Sequence, residues 1–201
     1  MDDGSADGTA AMAESFSREV PRVVVQREPH RGKGGAVKAG LLAARGDYRF
    51  ICDADLSMPI AEIARFLPPH LADFDVAIGS REVPGARRIN EPARRHLVGR
   101  IFNETVKALL LSWIEDTQCG FKMFTRSAVE TIFPLVTTDG WAFDIEALYI
   151  AREHGLRIRE IPIEWHYRER SQIRVVRDGL AMFRELLRMR SRAARGAYRP
   201  R

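Results

Sequence analysis

Two aspartates, Asp53 and Asp55, directly follow the short apolar stretch at residues 48–52. That stretch has the length and composition of a buried strand. Ligands in α/β sheets gather at the carboxyl ends of strands, so both carboxylates can reach one metal ion there. Hard oxygen ligands favour Mg²⁺ or Mn²⁺, which also neutralise charge on a diphosphate. The alternative, from this triplet alone, is a strand end that carries two solvated aspartates.

A second segment, G-K-G-G-A-V at residues 32–37, opens a predicted helix, where bare backbone amides and the helix dipole favour phosphate. It differs from a P-loop because Gly34, rather than Ser or Thr, follows the lysine. It differs from the dinucleotide fingerprint G-x-G-x-x-G/A because Val37 stands at the last small position. Two interpretations stay open: a flexible loop whose Lys33 contacts phosphate, and a plain turn before a helix.

Three further segments combine polar and aromatic residues at loop-like positions: D-D-G-S at residues 2–5, D-T-Q-C-G-F-K at 116–122 and W-A-F-D-I-E at 141–146. Taken singly, the first is an Asx-rich turn that caps a helix, and the aromatic residues of the others are packing. A carboxylate beside such an aromatic residue can instead hold a sugar hydroxyl. Residues 79–91 carry Gly, Pro and several arginines without periodicity, which indicates a functional loop.

The elements that must position these residues follow an alternating pattern. It indicates an α/β fold with a mostly parallel sheet flanked by helices. Strands are predicted at residues 22–26, 48–52, 75–78 and 156–163. Helices are predicted at residues 8–19, 33–45, 59–67, 92–111 and 142–154, with Asp7 or Ser5 capping the first. Residues 175–189 have apolar residues among arginines at near-helical spacing, and residues 188–201 are predicted to be disordered.

Composition excludes several classes of protein. The chain has 201 residues, of which 45% are hydrophobic, and a net charge of +5, so it can form one globular domain with a sizeable core. Two cysteines without a C-x-x-C pair argue against a disulfide framework and a thiolate zinc site. No apolar run approaches the roughly 20 residues of a membrane span, and the acidic start does not predict an exported protein. The basic balance suggests nucleic acid as a partner, but the aromatic residues are not interleaved with arginines, so none is expected.

The order of the quoted segments resembles glycosyltransferase family 2, and within it the dolichyl-phosphate β-glucosyltransferases and their prokaryotic polyprenyl-phosphate relatives, over residues 2–165. The resemblance implies a GT-A fold, the Rossmann-like fold of nucleotide-diphospho-sugar transferases, over residues 1–170. Residues 171–201 are predicted to form a basic amphipathic C-terminal helix and tail. Members of this family have a strand before D-D-G-S, so we expect that the N-terminal strand is missing. Two explanations for its absence stay open: a start site assigned too late, or a fragment.

The activity that this resemblance implies is an inverting transfer of a hexose from a nucleotide-sugar to a polyprenyl or dolichyl phosphate. UDP-glucose is the favoured donor, GDP-mannose the alternative, and Mg²⁺ or Mn²⁺ the cofactor. A lipid phosphate is largely ionised near neutral pH, so its attack requires no general base. The rival classes are a nucleotidyltransferase, which usually has a glycine-rich loop not seen here, and an inactive fragment or a nucleotide-binding module without catalysis.

The resemblance also implies a role for individual residues. Asp53 and Asp55 hold the metal. Nucleotide-sugar binding involves Asp2, Asp3, Gly32, Lys33, Gly34 and Asp53. Catalysis involves Asp55, Arg81 and Arg95, the two arginines binding the acceptor phosphate. The acceptor side is formed by Arg81, Arg95, Asn103, Asp116, Gln118, Trp141, Asp144 and Glu146.

The basic C-terminal segment fits a protein that is peripheral on the cytoplasmic face of the membrane. A helix with Phe183, Leu186 and Leu187 on one face and arginines elsewhere can lie in an anionic headgroup layer. The alternative is a solvated helix that packs on the domain and ends in a charged tail.

Overall fold

The computed structural model describes residues 1–168 and 175–200 of the chain, with the side chains of residues 175–178 left out. Its α-helices are α1 (Thr9–Glu19), α2 (Lys33–Ala43), α3 (Ala93–Leu109), α4 (Arg126–Ile132), α5 (Phe143–Glu153) and α6 (Val175–Ala194). Its strands are β1 (Tyr48–Cys52), β2 (Val76–Ser80), β3 (Arg87–Ile89), β4 (Phe121–Thr125), β5 (Ile158–Pro162) and β6 (Glu164–His166). The predicted helix at residues 59–67 is a 3-10 helix, Ile60–Phe66.

The main sheet has four strands in the order β1-β4-β2-β5. Strands β1, β2 and β5 run in one direction, and β4 lies antiparallel between β1 and β2. The sheet is therefore mixed, and the predicted α/β class with most strands parallel is confirmed. Because β1 and β2 point the same way on either side of β4, their carboxyl ends lie at one edge of the sheet.

Apolar side chains cover both faces of this sheet. On one face, residues of α4, α5 and α6 join Phe124 of β4 in a single cluster that includes Leu148 and Leu186. On the other face, Phe121 packs with Phe66 of the 3-10 helix and with Trp165 of β6. Strand β4 is buried on both faces because it is central, which fixes the loops at either end of it.

The predicted strand at residues 22–26 is wrong. In this part of the described chain, the backbone pairing is an isolated parallel bridge between Asp2 and Arg27. The Asp2 N–H donates to the Gln26 carbonyl and the Glu28 N–H to the Asp2 carbonyl, each at 2.9 Å. Val24 is 82% exposed, so β-branched residues alone did not form a strand here. A ladder requires a neighbouring strand, and one bridge does not supply it.

The prediction that residues 188–201 are disordered is also wrong for the described residues of that segment. Helix α6 continues to Ala194, and Met182, Leu186, Met189 and Tyr198 are buried in the main apolar cluster. Met182, Leu186 and Met189 share one face of the helix, because they are three or four residues apart. The arginines between them lie on the other faces. Leu186 therefore faces the core, whereas Phe183 and Leu187, expected beside it, are exposed.

Candidate active site

A cleft of about 1570 Å³ opens at the edge of the sheet where β1 and β2 end. Most of the residues with a predicted role line it. They are Asp3, Gly32, Lys33, Asp53, Asp55, Arg81, Arg95, Asn103, Asp116, Gln118, Trp141 and Asp144. Asp2, Gly34 and Glu146 do not belong to its lining. The cleft is larger than a typical small-molecule pocket, so it has room for two reactants side by side.

Asp53 is already paired with a cation from the chain itself. The Lys33 Nζ lies 2.7 Å from the Asp53 Oδ1, and both side chains are less than one third exposed. Burial lowers the pKa of Lys33, but the negative charges of Asp144 and Asp53 outweigh it and raise the pKa above its ordinary value. Lys33 therefore stays an ammonium ion at neutral pH, between the helix that begins with it and the end of β1.

The carboxylate pair fits a hard divalent cation. A Cβ on Gly120 would lie 2.0 Å from the Asp53 Oδ2, so the missing side chain there makes the space that the carboxylate occupies. The Asp55 Oδ1 accepts the Ser57 N–H at 2.9 Å, which orients the second carboxylate. No group of three or more His, Cys, Asp or Glu side chains suited to a metal occurs among the described residues. Two carboxylates suit an ion that completes its shell with phosphate oxygens and water.

A second ion pair lies behind the first. The Lys122 Nζ is 2.7 Å from the Asp144 Oδ1, and both side chains are almost fully buried. Lys122 also donates to the carbonyl of Cys119. Burial raises the pKa of Asp144, although Lys122 and Lys33 act against it. The sequence-based interpretation gave Lys122 no role. A lysine among the apolar residues of F-K-M-F-T could have indicated a buried partner of opposite charge.

Arg81 and Asp116 form a bidentate ion pair at the end of β2. The Arg81 Nε and Nη2 donate to the two Asp116 carboxylate oxygens at 2.6 and 2.9 Å, and the Arg81 N–H donates at 3.0 Å. Burial raises the pKa of Asp116, but the charge and hydrogen bonds of Arg81 outweigh it and lower the pKa to about 2. Two of the donor groups of Arg81 are thus engaged within the protein, and its guanidinium lies 5.4 Å from the Trp165 ring centre.

Other cations line the cleft near the start of α3. The guanidinium of Arg95 lies over the ring of Tyr167, 5.1 Å from its centre. Arg94 is exposed and has no hydrogen-bond or ion-pair partner among the described residues. The Asn103 side chain donates to the Glu115 carbonyl, so it fixes the loop before Asp116. Sequence reasoning missed Arg94, although it precedes Arg95 directly.

The remaining predicted donor-side residues hold the loop before α2. The carboxylate of Asp3 accepts the N–H groups of Arg31 and Gly32, each at 2.9 Å. Asp2 instead accepts the Ser5 N–H at 3.1 Å, within its own turn. A Cβ on Gly34 would lie 2.4 Å from the Thr138 carbonyl oxygen, so this glycine permits α2 to contact a neighbouring turn.

Glu146 lies outside the cleft. It is fully buried on α5 and accepts hydrogen bonds from the backbone of Thr137 and Thr138. The sequence placed it at the acceptor side because it belongs to the same motif as Trp141. Trp141, however, lies in the turn before α5 and lines the cleft, whereas Glu146 lies on the buried side of the helix, so one motif contributes to two different places.

Similarity to solved structures defines the class of fold. Glucosyl-3-phosphoglycerate synthase from Mycobacterium tuberculosis in complex with UDP is 21% identical, with a TM-score of 0.62 over 94% of this chain and 66% of that one. The same synthase with Mn²⁺, UDP-glucose and phosphoglyceric acid gives 20% identity and a TM-score of 0.65 over 95% and 67%. The fold is that of the GT-A glycosyltransferases.

Residues 1–133 match the model of glycosyl transferase family 2, and the chain belongs to that family. It is similar to the dolichyl-phosphate beta-glucosyltransferase of Dictyostelium discoideum, with 32% identity over 208 residues, 99% of this chain and 64% of the relative. It is equally similar to that of Homo sapiens, with 33% identity over 210 residues, 99% of this chain and 64% of the relative. The chain thus spans just under two thirds of the length of these relatives.

Within residues 1–168 and 175–200, no helix is long and apolar enough to cross a membrane.

Proposed function

We propose that this chain transfers glucose from UDP-glucose to a polyprenyl or dolichyl phosphate with inversion at the anomeric carbon. The observation that carries the proposal is the composition of one cleft: a carboxylate pair after β1, a lysine at the start of α2 and arginines at the start of α3. The identity of about one third to dolichyl-phosphate beta-glucosyltransferases supports this choice of donor and acceptor.

The donor side is formed by Asp53, Asp55 and Lys33. When bound at the two carboxylates, Mg²⁺ or Mn²⁺ neutralises charge on the departing nucleoside diphosphate. Lys33 adds a second positive charge at the first turn of α2, where free amides also favour phosphate. Trp141, whose ring centre lies 5.5 Å from the Lys33 Nζ, offers an apolar face for the sugar next to these charges.

The acceptor side is formed by the arginines of the cleft. Arg94 and Arg95 can bind the lipid phosphate, whereas Arg81 holds Asp116 in place and presents its remaining donor group. A phosphate oxygen attacks the anomeric carbon while the bond from that carbon to the diphosphate breaks. No proton has to leave the nucleophile, because a phosphate monoester is mostly dianionic near neutral pH. The protein therefore contributes alignment and charge compensation.

A transfer assay with the full chain tests this function. We expect labelled glucose to pass from UDP-glucose to a polyprenyl phosphate in the presence of Mn²⁺, and GDP-mannose to be a poorer donor. Asp55→Asn should lower the rate by about a hundredfold, because it removes a charged metal ligand. Asp47→Asn is the matched control, because Asp47 is exposed and, among the described residues, its carboxylate pairs with Arg126 outside the cleft. Full transfer by Asp55→Asn with the metal chelated would contradict the proposal.

We also propose that the chain binds the cytoplasmic face of an anionic membrane through α6. Leu180, Phe183 and Leu187 are each more than 40% exposed and lie along the outer side of this helix, three or four residues apart. Arg184 and Arg188 flank them. A helix with such a face can lie in the headgroup layer, with its apolar side chains inserted and its arginines on anionic lipids.

Flotation with vesicles that contain phosphatidylglycerol tests this attachment. The substitution of Leu180, Phe183 and Leu187 by Ser should abolish flotation while the thermal unfolding temperature stays near that of the wild type, because these side chains are outside the core. Substitution of the exposed Met12 and Phe16 on α1 by Ser is the control and should leave flotation unchanged. Equal flotation of all three proteins would rule out α6 as the contact.

A further inference from the structure

One side chain in the last turn of the described chain, that of Tyr198, is buried. Tyr198 is 1% exposed, and its hydroxyl group donates to the Glu146 Oε1 at 2.7 Å. Its ring packs edge-on against Tyr149 and beneath the guanidinium of Arg192. Burial and the bond to Glu146 both raise the pKa of Tyr198, so the hydroxyl group keeps its proton and remains a donor.

Glu146 gathers hydrogen bonds from a single turn of the chain. Its Oε2 accepts the N–H groups of Thr137 and Thr138 at 2.8 and 2.7 Å, and its Oε1 accepts the Thr137 hydroxyl group at 2.9 Å. Burial raises the pKa of Glu146, but the Tyr198 hydroxyl group and these donors outweigh it and lower the pKa. A buried carboxylate held by four hydrogen bonds fixes the groups around it, since a lost bond leaves charge unsatisfied.

The turn held by Glu146 lies directly against the start of α2. The Asp139 carbonyl accepts the N–H groups of Gly34 and Gly35 at 2.7 and 3.3 Å. A Cβ on Gly32 would lie 2.6 Å from the same carbonyl oxygen, so the turn and the loop are in direct backbone contact. A displacement of residues 137–139 must therefore move the backbone that carries Lys33.

We propose that Tyr198 is a positioning residue for the Gly32–Gly34 loop of the donor site. Its hydroxyl group completes the shell of Glu146, Glu146 fixes the turn at residues 137–139, and this turn fixes the first amides of α2. Lys33 belongs to this first turn of α2, so the same contacts keep its Nζ 2.7 Å from the Asp53 Oδ1. The identity of the ligand at this loop, a nucleoside diphosphate, rests on the proposed function; the mechanical connection does not.

Hydrogen–deuterium exchange of the full chain without ligand tests the connection. Tyr198→Phe keeps the ring and removes the one donor. We expect the amides of a peptide covering residues 32–38 to exchange about three- to tenfold faster, because one buried hydrogen bond to a charged group is lost. Arg188→Gln is the control: Arg188 lines the same cavity as Tyr198 but pairs with Glu185, so exchange should equal that of the wild type.

Calorimetric titration with UDP and Mn²⁺ gives the second readout. Tyr198→Phe should weaken UDP binding by a similar factor, and in the transfer assay raise KM for UDP-glucose with kcat nearly unchanged, since Tyr198 touches no reactant. A purely structural role would lower the unfolding temperature of Tyr198→Phe without changing exchange at residues 32–38, and that result would overturn the proposal.

The two hypotheses fail in different ways. A folded wild-type chain that binds no UDP contradicts the proposed function, while faster exchange in Tyr198→Phe still supports the connection. Wild-type exchange in Tyr198→Phe contradicts the connection even if the wild type transfers glucose.

Discussion

Lys33 and Asp53 form an ion pair at the position where the donor and its metal are proposed to bind. With their charged atoms 2.7 Å apart, the ammonium of Lys33 compensates the charge of the Asp53 carboxylate, which in the proposed function would also hold a divalent cation. A divalent cation held by Asp53 and Asp55 would compete with Lys33 for this oxygen, because a carboxylate flanked by both would bring like charges together. In the proposed function Lys33 would then be available to the phosphates of the donor.

Replacing Lys33 by Met should separate these effects. We expect Mn²⁺ to bind the nucleotide-free protein about three- to tenfold more tightly, because no ammonium has to be displaced, whereas UDP binds more weakly because a cation is lost. Electron paramagnetic resonance of Mn²⁺ measures the first effect and calorimetry the second. Lys38→Met is the control, since Lys38 lies on the same helix but donates to the Val136 carbonyl. Unchanged Mn²⁺ affinity in Lys33→Met would show that the pair does not compete with the metal.

Asp116 predicts a specific acid sensitivity. Its pKa of about 2 in the folded chain lies below the ordinary value of 3.8. The ionised carboxylate therefore contributes fully to the stability of the fold above about pH 5, and this contribution is lost as the pH falls from about 5 to about 2. The loss amounts to about 2 kcal/mol by pH 2. Denaturant unfolding at several pH values should show a steeper decline for the wild type than for Asp116→Asn. Parallel curves would contradict the assignment.

The sequence predicts which residues belong to the site better than it predicts how they pair. The place of Asp53 and Asp55 follows from a strand that ends just before them, which is local information. The pairing of Arg81 with Asp116 joins residues 35 positions apart and depends on how β2 and β4 lie together. The sequence therefore indicated which residues belong to the cleft, but not that two donor groups of Arg81 are already engaged.

At the scale of elements, the start of α2 explains why the Gly-Lys segment is not a P-loop. Gly34 is needed because the Thr138 carbonyl oxygen lies where a side chain would begin. The departure from the P-loop pattern thus has a packing cause, and a hydroxyl-bearing residue would push α2 away from the turn.

Gly34→Ser tests this explanation, because it creates G-K-S, the last three residues of the P-loop motif. We expect a loss of stability of about 1–3 kcal/mol from overpacking, together with weaker UDP binding. Ala39→Ser is the control: it adds a hydroxyl group to the same helix at a position that already has a Cβ. Thermal unfolding and calorimetry measure both effects. A Gly34→Ser protein as stable as Ala39→Ser and with improved UDP binding would show that the loop tolerates a side chain.

Strand β4 and helix α4 were not predicted, and for an identifiable reason. Phe121–Thr125 contains Lys122, whose charge interrupts the apolar run, and the preceding D-T-Q-C-G stretch is typical of a loop. Lys122 is acceptable in a central strand only because Asp144 approaches from α5. Strands β1 and β2 could be found from the sequence because they alternate with the predicted helices, whereas a buried strand that follows a loop-like stretch and is stabilised by an ion pair from a distant helix could not.

At the scale of the whole molecule, α6 is part of the main core rather than an appendage. Met182, Leu186, Met189 and Tyr198 belong to the cluster formed by α4, α5 and the sheet. Helix α3 also contacts α6, and it exposes two apolar side chains of its own, Leu97 and Ile101.

Removal of residues 175–201 should therefore unfold the chain. Full burial of a large apolar side chain contributes about 1.5–3 kcal/mol, and four such side chains together approach the total stability of a typical domain, about 5–15 kcal/mol. We expect the truncated chain to lack the cooperative thermal transition of the full chain, as followed by circular dichroism. A truncated chain with an unchanged transition would contradict the role of α6 in the core. The substitution of its outer side chains is for this reason the better probe of membrane contact.

The two cysteines differ in accessibility. Cys52 is exposed beside Asp53, whereas Cys119 is buried and burial raises its pKa to about 12. Burial and the carboxylates of Asp53 and Asp55 also raise the pKa of Cys52, so alkylation of it needs a mildly alkaline buffer. A maleimide should thus modify one thiol in the native chain and a second one after denaturation. A fluorophore or spin label can accordingly be attached next to the carboxylate pair without any mutagenesis, and its signal would report directly on occupancy of the cleft.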